Sequence, residues 1–212
     1  MKNRILLFIL LLISSLSFGQ SDLGVFIGFN NSKLAGDAPA NSSYNSLKGI
    51  NAGAYFDLKL SNSLLLSIQP SYTQEGTKIS FKVSGQEEPV DSIKIRINYF
   101  SLPFLLKVTT SNKRFYALGG IETGILLSSF LETNDSKEDI GVDVESWNLA
   151  MHFGVGLRIP IGFPRLFVEL RYTQGLVNLT NEPLDKNIIP RIKTNGFKVL
   201  AGIEIPLQKS NN

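Results

Sequence analysis

Between residues 147 and 159, large apolar side chains alternate with smaller or polar ones without a break. Trp147, Leu149, Met151, Phe153, Val155, Leu157 and Ile159 share one parity, and Asn148, Ala150, His152, Gly154, Gly156 and Arg158 share the other. A period of two marks a β-strand with two unlike faces. Leu166, Val168, Leu170, Tyr172 and Leu176 repeat the pattern against Glu169, Arg171, Thr173 and Gly175. Five further stretches, near 22–29, 50–59, 64–73, 115–125 and 197–205, do the same. An eighth, near 93–108, changes parity: Ile93, Ile95, Ile97 and Tyr99 are odd, whereas Leu102, Phe104 and Leu106 are even. A one-residue slip flips every side chain to the other face, and proline sits at bulges or edges of sheets. The sequence therefore predicts a bulge between Tyr99 and Pro103, or else a loop extension at 93–98. No amphipathic helix of useful length competes with the strands.

The connections between these eight strands alternate in length. Segments 30–48, 76–91, 131–145 and 177–193 are long and polar; 60–63, 109–113 and 160–164 are short. In an antiparallel meander successive connections fall at opposite ends, so one end collects every long loop and the other every short turn. Transmembrane barrels have this asymmetry. The predicted fold is all-β, an eight-stranded antiparallel up-and-down transmembrane β-barrel.

Such a barrel is turned inside out, with its large apolar face on lipid and its small and polar face in the lumen. The polar face is rich in glycine, including Gly24, Gly28, Gly53, Gly120, Gly154, Gly156 and Gly202. Small residues suit an eight-strand interior, which is just wide enough for side chains to fill. The same face carries Asp57, Lys59, Glu122, His152, Arg158, Glu169, Arg171, Lys198 and Glu204. Buried charges must be paired, so these nine are expected to form a structural lumen network. Near the long-loop end Phe29, Tyr72, Tyr99, Trp147, Tyr172 and Phe197 are placed as an interfacial aromatic girdle. The rival arrangement is a soluble exported lipocalin-like barrel with an apolar interior that binds an apolar ligand.

The first residues read as an address. Lys2 and Arg4 precede an unbroken apolar run from Ile5 to Ile13, and Ser17-Phe18-Gly19 supplies small residues before a cut. This is the layout of a secretory signal peptide over 1–19, leaving 20–212 as a single barrel domain. The run is far short of the ~20 residues that span hydrocarbon as a helix. Removing Lys2 and Arg4 takes the 21 cationic residues to 19 against an unchanged 18 acidic ones. Nucleic-acid binding, which needs a concentrated positive surface, then loses its support. The expected location is the outer membrane.

The stretch Tyr99-Phe100-Ser101-Leu102-Pro103-Phe104-Leu105-Leu106-Lys107, together with Gly154-Val155-Gly156-Leu157 and Glu169-Leu170-Arg171-Tyr172-Thr173-Gln174-Gly175, resembles the outer-membrane β-barrel domain family of Bacteroidota, PorT-like proteins included. The resemblance covers essentially the whole mature chain. It implies a barrel in a Gram-negative envelope, outer-membrane lipid as surroundings, contacts with other envelope proteins, and a role as an accessory of protein secretion. It says nothing of oligomeric state. Many outer-membrane proteins end on an aromatic residue used in assembly; this chain ends Lys209-Ser210-Asn211-Asn212.

Little in the chain points to catalysis. There is no cysteine and one histidine, which excludes thiolate and multi-histidine metal sites. No Gly-x-Ser-x-Gly elbow occurs in the mature chain to give His152 a nucleophile, and the strand glycines open no phosphate-binding loop. The 131–145 loop holds Glu132, Asp135, Glu138, Asp139, Asp143 and Glu145 against Lys137. Its spacing does not match an EF-hand, and it reads as a solvated acidic loop. The expectation is a non-enzymatic protein with no cofactor and no metal, acting through extracellular loops or envelope-protein contacts.

Overall fold

A computed structural model describes residues 21–36, 41–81, 91–133, 136–141, 144–179 and 192–207, with only the backbone of Asp91 and Ser92. The expected leader at 1–19 and much of the long loops lie outside these residues. Among the described residues there are ten strands: β1 (Ser21–Gly36), β2 (Ser42–Lys59), β3 (Leu64–Ile68), β4 (Ser71–Phe81), β5 (Asp91–Thr109), β6 (Phe115–Glu132), β7 (Lys137–Asp139), β8 (Trp147–Ile159), β9 (Arg165–Gly175) and β10 (Ile192–Pro206).

Eight of them, counting β3 and β4 as one, close a ring. Each pairs antiparallel with its sequence neighbour, and β1 closes on β10 from Asp22↔Pro206 to Gly36↔Ile192. The break between β3 and β4 falls at Gln69-Pro70, because proline has no N–H to give the ladder. The ladder continues around it, with Ala54 N–H donating to the Pro70 carbonyl at 3.0 Å and Gln69 N–H to that of Pro103 at 3.1 Å. β7 is a short hairpin extension on β6, so the segment read as an acidic loop is partly sheet. The strands likewise extend into the other long connections.

The faces are inverted as in a lipid-facing barrel. Ile27, Phe29, Ile125, Val155, Val168 and Val199 point outward and are exposed, whereas Asp57, His152, Glu169, Arg171 and Lys198 are buried. An apolar interior with a polar exterior, as a soluble carrier requires, is therefore overturned. A simple rule helps to fill the lumen: large side chains stand over cross-strand glycines. Gly24 faces Tyr55 and Gly156 faces Tyr116 in direct register. A Cβ at Gly24 would lie 2.4 Å from the Tyr55 ring, and one at Gly156 2.2 Å from the Tyr116 ring. Only glycine permits that approach.

The irregular eighth segment needs a correction. β5 carries no bulge between Tyr99 and Pro103; its odd positions Ile97, Tyr99, Ser101, Leu105 and Lys107 all face inward. The register does slip between Asn98 and Tyr99, but the extra residue, Leu127, belongs to β6, since Asn98 pairs with Ser128 and Tyr99 with Leu126. A second slip lies in β2 between Ser46 and Asn51. Ile97 and Tyr99 are inside because the barrel there has risen out of lipid. With water outside, the ordinary rule returns, apolar in and polar out. Leu34, Ile97, Tyr99 and Leu179 form an apolar cluster that caps the lumen, with Tyr44, Ile95, Leu126, Val144 and Ile192 packed against it.

Candidate functional site

Chemistry-bearing groups gather in the lumen, because every inward position alternates with a lipid-facing one. They stand in three levels. Nearest the short turns, Arg165 bridges Asp22 at 2.9 Å and Glu204 at 2.6 Å, and Arg158 bridges Glu204 at 3.1 Å and Asp57 at 3.4 Å. Tyr55 donates its hydroxyl proton to Glu204 at 2.8 Å.

In the middle, Lys107 Nζ lies 3.0 Å from Asp57 and 3.5 Å from Glu169, and 4.5 Å from the centre of the Tyr55 ring. Arg171 pairs with Glu169, its Nε donating at 2.7 Å, while its Nη2 donates to Gln69 Oε1 at 2.7 Å. Tyr116 donates to Glu169 at 2.6 Å. Carboxylates with several donors each are what a water-poor interior demands, since an unpaired buried charge costs several kcal/mol.

Higher up, Lys198 sits between Glu122 at 3.3 Å and Glu75 at 3.8 Å. His152 Nε2 is 3.0 Å from Glu122, and its Nδ1 is 3.2 Å from the Thr173 hydroxyl. Carboxylate, imidazole and hydroxyl in a row are the elements of an acid–base relay. Here the row is shut away: His152 is 0% exposed, Thr173 2% and Glu122 3%. Glu75, at the same level, pairs in register with Ile97 of the apolar cap.

Eight of the nine lumen residues named from the sequence meet in this network. Lys59 does not; it lines a recess of about 290 Å³ at the short-turn mouth and makes no ion pair among the described residues. Lys107, Glu75, Tyr55, Tyr116, Asp22 and Arg165 belong to the network and escaped the sequence reading. Lys107 was hidden because Leu105, at 0% exposure, makes both faces of its strand apolar. Of the aromatic set, Phe29, Trp147 and Phe197 are exposed and Tyr72 and Tyr172 half-buried on the outer face. Tyr99 is the correction. It is 1% exposed and lies inside, in the cap. Among the described residues no cluster of three or more metal-ligating side chains exists.

An outward apolar belt around an ion-paired interior matches what one protein family supplies. The profile of the outer membrane protein beta-barrel domain family matches residues 15–181. The chain belongs to that family. Its location is accordingly the outer membrane, with outer-membrane lipid around the belt. Among curated protein sequences none matches. Solved structures similar to this chain include the attachment invasion locus protein Ail of Yersinia pestis, at 16% identity over 88% of this chain and 99% of that one, TM-score 0.45. Neisserial surface protein A is similar at 13% identity over 86% and 96%, TM-score 0.48. The outer membrane protease OmpT of Escherichia coli is similar at 10% identity over 89% and 95%, TM-score 0.39.

Proposed function

We propose that this family member is a non-catalytic integral membrane barrel with a sealed lumen, whose working surface is its outer end and the contacts made there. One observation carries the reading. From Asp22 to Lys198 the interior is occupied by mutually paired charges, and above them Leu34, Ile97, Tyr99 and Leu179 close the axis. A filled eight-strand lumen offers no diffusion path, and among the described residues the Glu122–His152–Thr173 row is buried from solvent. Recognition then falls to loops and rim held by a rigid scaffold.

The narrower role, an accessory of protein secretion through contacts with other envelope proteins, is supported by the likeness of residues 99–107 to PorT-like proteins. Two measurements test the pair of readings. Purified chain in a planar bilayer is expected to show heat-modifiable gel mobility and no steady conductance; stable channels would overturn the sealed lumen. Deletion of the gene is expected to deplete secreted proteins while leaving envelope integrity intact. An unchanged secretome would remove the accessory role.

A further inference from the structure

Above the lipid belt, the outward face of the barrel is divided by charge. On the adjacent strands β10, β1, β2, β4 and β5 it carries Lys193, Lys33, Lys48, Lys78, Lys94 and Arg96. Among the residues of these strands whose side chains are described, that face carries no acid; Glu75 and Glu204 point into the lumen. Beyond β5 acids appear on that face, Glu132 on β6 and Asp139 on β7, with Lys137 beside them. Glu132 is held by Arg96 at 3.6 Å and Lys137 at 3.4 Å. The five lysines make no ion pair among the described residues.

Lys78 and Lys94 are directly opposed across β4 and β5. Like charges in that position repel and destabilise a sheet. Lys33 and Lys193 stand diagonally, since Lys33 pairs with Asn195. An arc of cations that costs stability in isolation calls for an anion to lie on it. Depth identifies which. The cations follow the outermost outward apolar residues, Phe29, Ile50, Tyr72, Phe100 and Phe197, by two to six residues along their strands. At about 3.4 Å per residue and a tilt near ~40°, they stand ~5–15 Å above the hydrocarbon. The headgroup layer is about 5–8 Å thick on each side, and long lysine stems reach back into it.

We propose that this arc binds the phosphate-bearing head groups of outer-leaflet lipid, in particular head groups whose phosphates are carried on sugars and so stand above a plain phospholipid's. The inference rests on the proposed outer-end working surface and names the partner of one half of it. The pair Lys78–Lys94 is its centre, and the acidic half beyond β5 stays clear of the lipid phosphates.

The test compares native chain with Lys78→Gln, Lys94→Gln and the double variant. Each is reconstituted in vesicles of phosphatidylcholine alone or with a bis-phosphorylated diglucosamine glycolipid. Thermal unfolding is read by heat-modifiable mobility. In phosphatidylcholine the single variants are expected to melt at or above native, because repulsion is relieved. With the glycolipid the order is expected to reverse, and affinity for it to fall about fivefold per lysine removed, from ~1 kcal/mol for each cation near an anionic surface. Glu138→Gln serves as the control and should leave the preference unchanged. The proposal is overturned by a glycolipid preference that survives in the double variant. It is equally overturned by soluble glucosamine phosphate competing as well as the vesicles, which would assign the arc to a free anion. A variant that inserts and shows its heat shift yet fails this test removes the lipid partner alone and leaves the sealed barrel standing.

Discussion

Replacing Lys107 by methionine is the sharpest perturbation of the lumen. The side chain is 1% exposed and touches two carboxylates, Asp57 at 3.0 Å and Glu169 at 3.5 Å. Methionine keeps most of the apolar stem that packs against the Tyr55 and Tyr116 rings, so the change removes chiefly the charge. Stripping one partner from a buried pair costs about 3–5 kcal/mol. Both carboxylates retain a second cation, Asp57 through Arg158 at 3.4 Å and Glu169 through Arg171 at 2.7 Å, which puts the expected loss at the lower end, ~3 kcal/mol. Urea unfolding in phospholipid vesicles, followed by the fluorescence of the one tryptophan, Trp147, measures it.

Adding Asp57→Asn to Lys107→Met is the second half of the experiment. Once the lysine has gone, the neutral amide relieves the surplus buried anion, and about half of the lost stability should return, since coupled neighbours are strongly non-additive. A single variant within ~0.5 kcal/mol of native, the range of ordinary surface changes, would show that Lys107 is hydrated. So would a double variant weaker than the single one. Either result refutes a lumen held by direct ion pairs.

Two further expectations concern packing and lipid. Val168, 42% exposed on the outer face of β9, should lose about 2–4 kcal/mol as Val168→Arg if near the bilayer midplane, whereas Asn195→Arg, outward and above the aromatic level, should lose ~0–1; equal losses in vesicle unfolding would misplace the belt. Gly156→Val drives a side chain into the Tyr116 ring, 2.2 Å from its own Cβ position, and breaks the 2.6 Å bond from Tyr116 to Glu169. Overpacking of this kind costs about 1–3 kcal/mol, and a native-like urea midpoint would argue that Tyr116 does not depend on that glycine.

Strand number, antiparallel order and the inside-out faces were legible because period two is read residue by residue and needs no knowledge of partners. Eight lumen residues, seven charged side chains and His152, were legible for the same reason, each sitting opposite a run of large apolar neighbours. Lys107 was not, because Pro103 and Leu105 share its inward face and erase the contrast there. Tyr99 was misplaced by an assumption that one polarity rule governs a whole strand. Along β5 the rule changes: Phe100, Phe104 and Leu106 are apolar and outward, while Ile95, Ile97 and Tyr99 are apolar and inward. The change of parity that predicts a bulge between Tyr99 and Pro103, or a loop at 93–98, has another cause: β5 runs unbroken from Asp91 to Thr109 while the solvent outside the wall changes.

That change of solvent also explains why so costly a lumen exists. Within the belt, lipid tails are as apolar as the side chains that meet them, so the outer face does little to choose between alternative strand registers. The interior does choose. Asp57 on β2, Lys107 on β5, Arg158 on β8, Glu169 on β9 and Glu204 on β10 join strands far apart in the chain. Slipping β9 by one residue would turn both Glu169 and Arg171 into hydrocarbon, at about 2–4 kcal/mol for the arginine alone near the midplane, and would take Glu169 away from Lys107 and Arg171 away from Gln69. Slipping β8 would do the same to Arg158 and lift the Tyr116 ring off Gly156. Charges inside this barrel therefore act as a register lock: a slipped pairing moves them into hydrocarbon or strips them of partners they need inside.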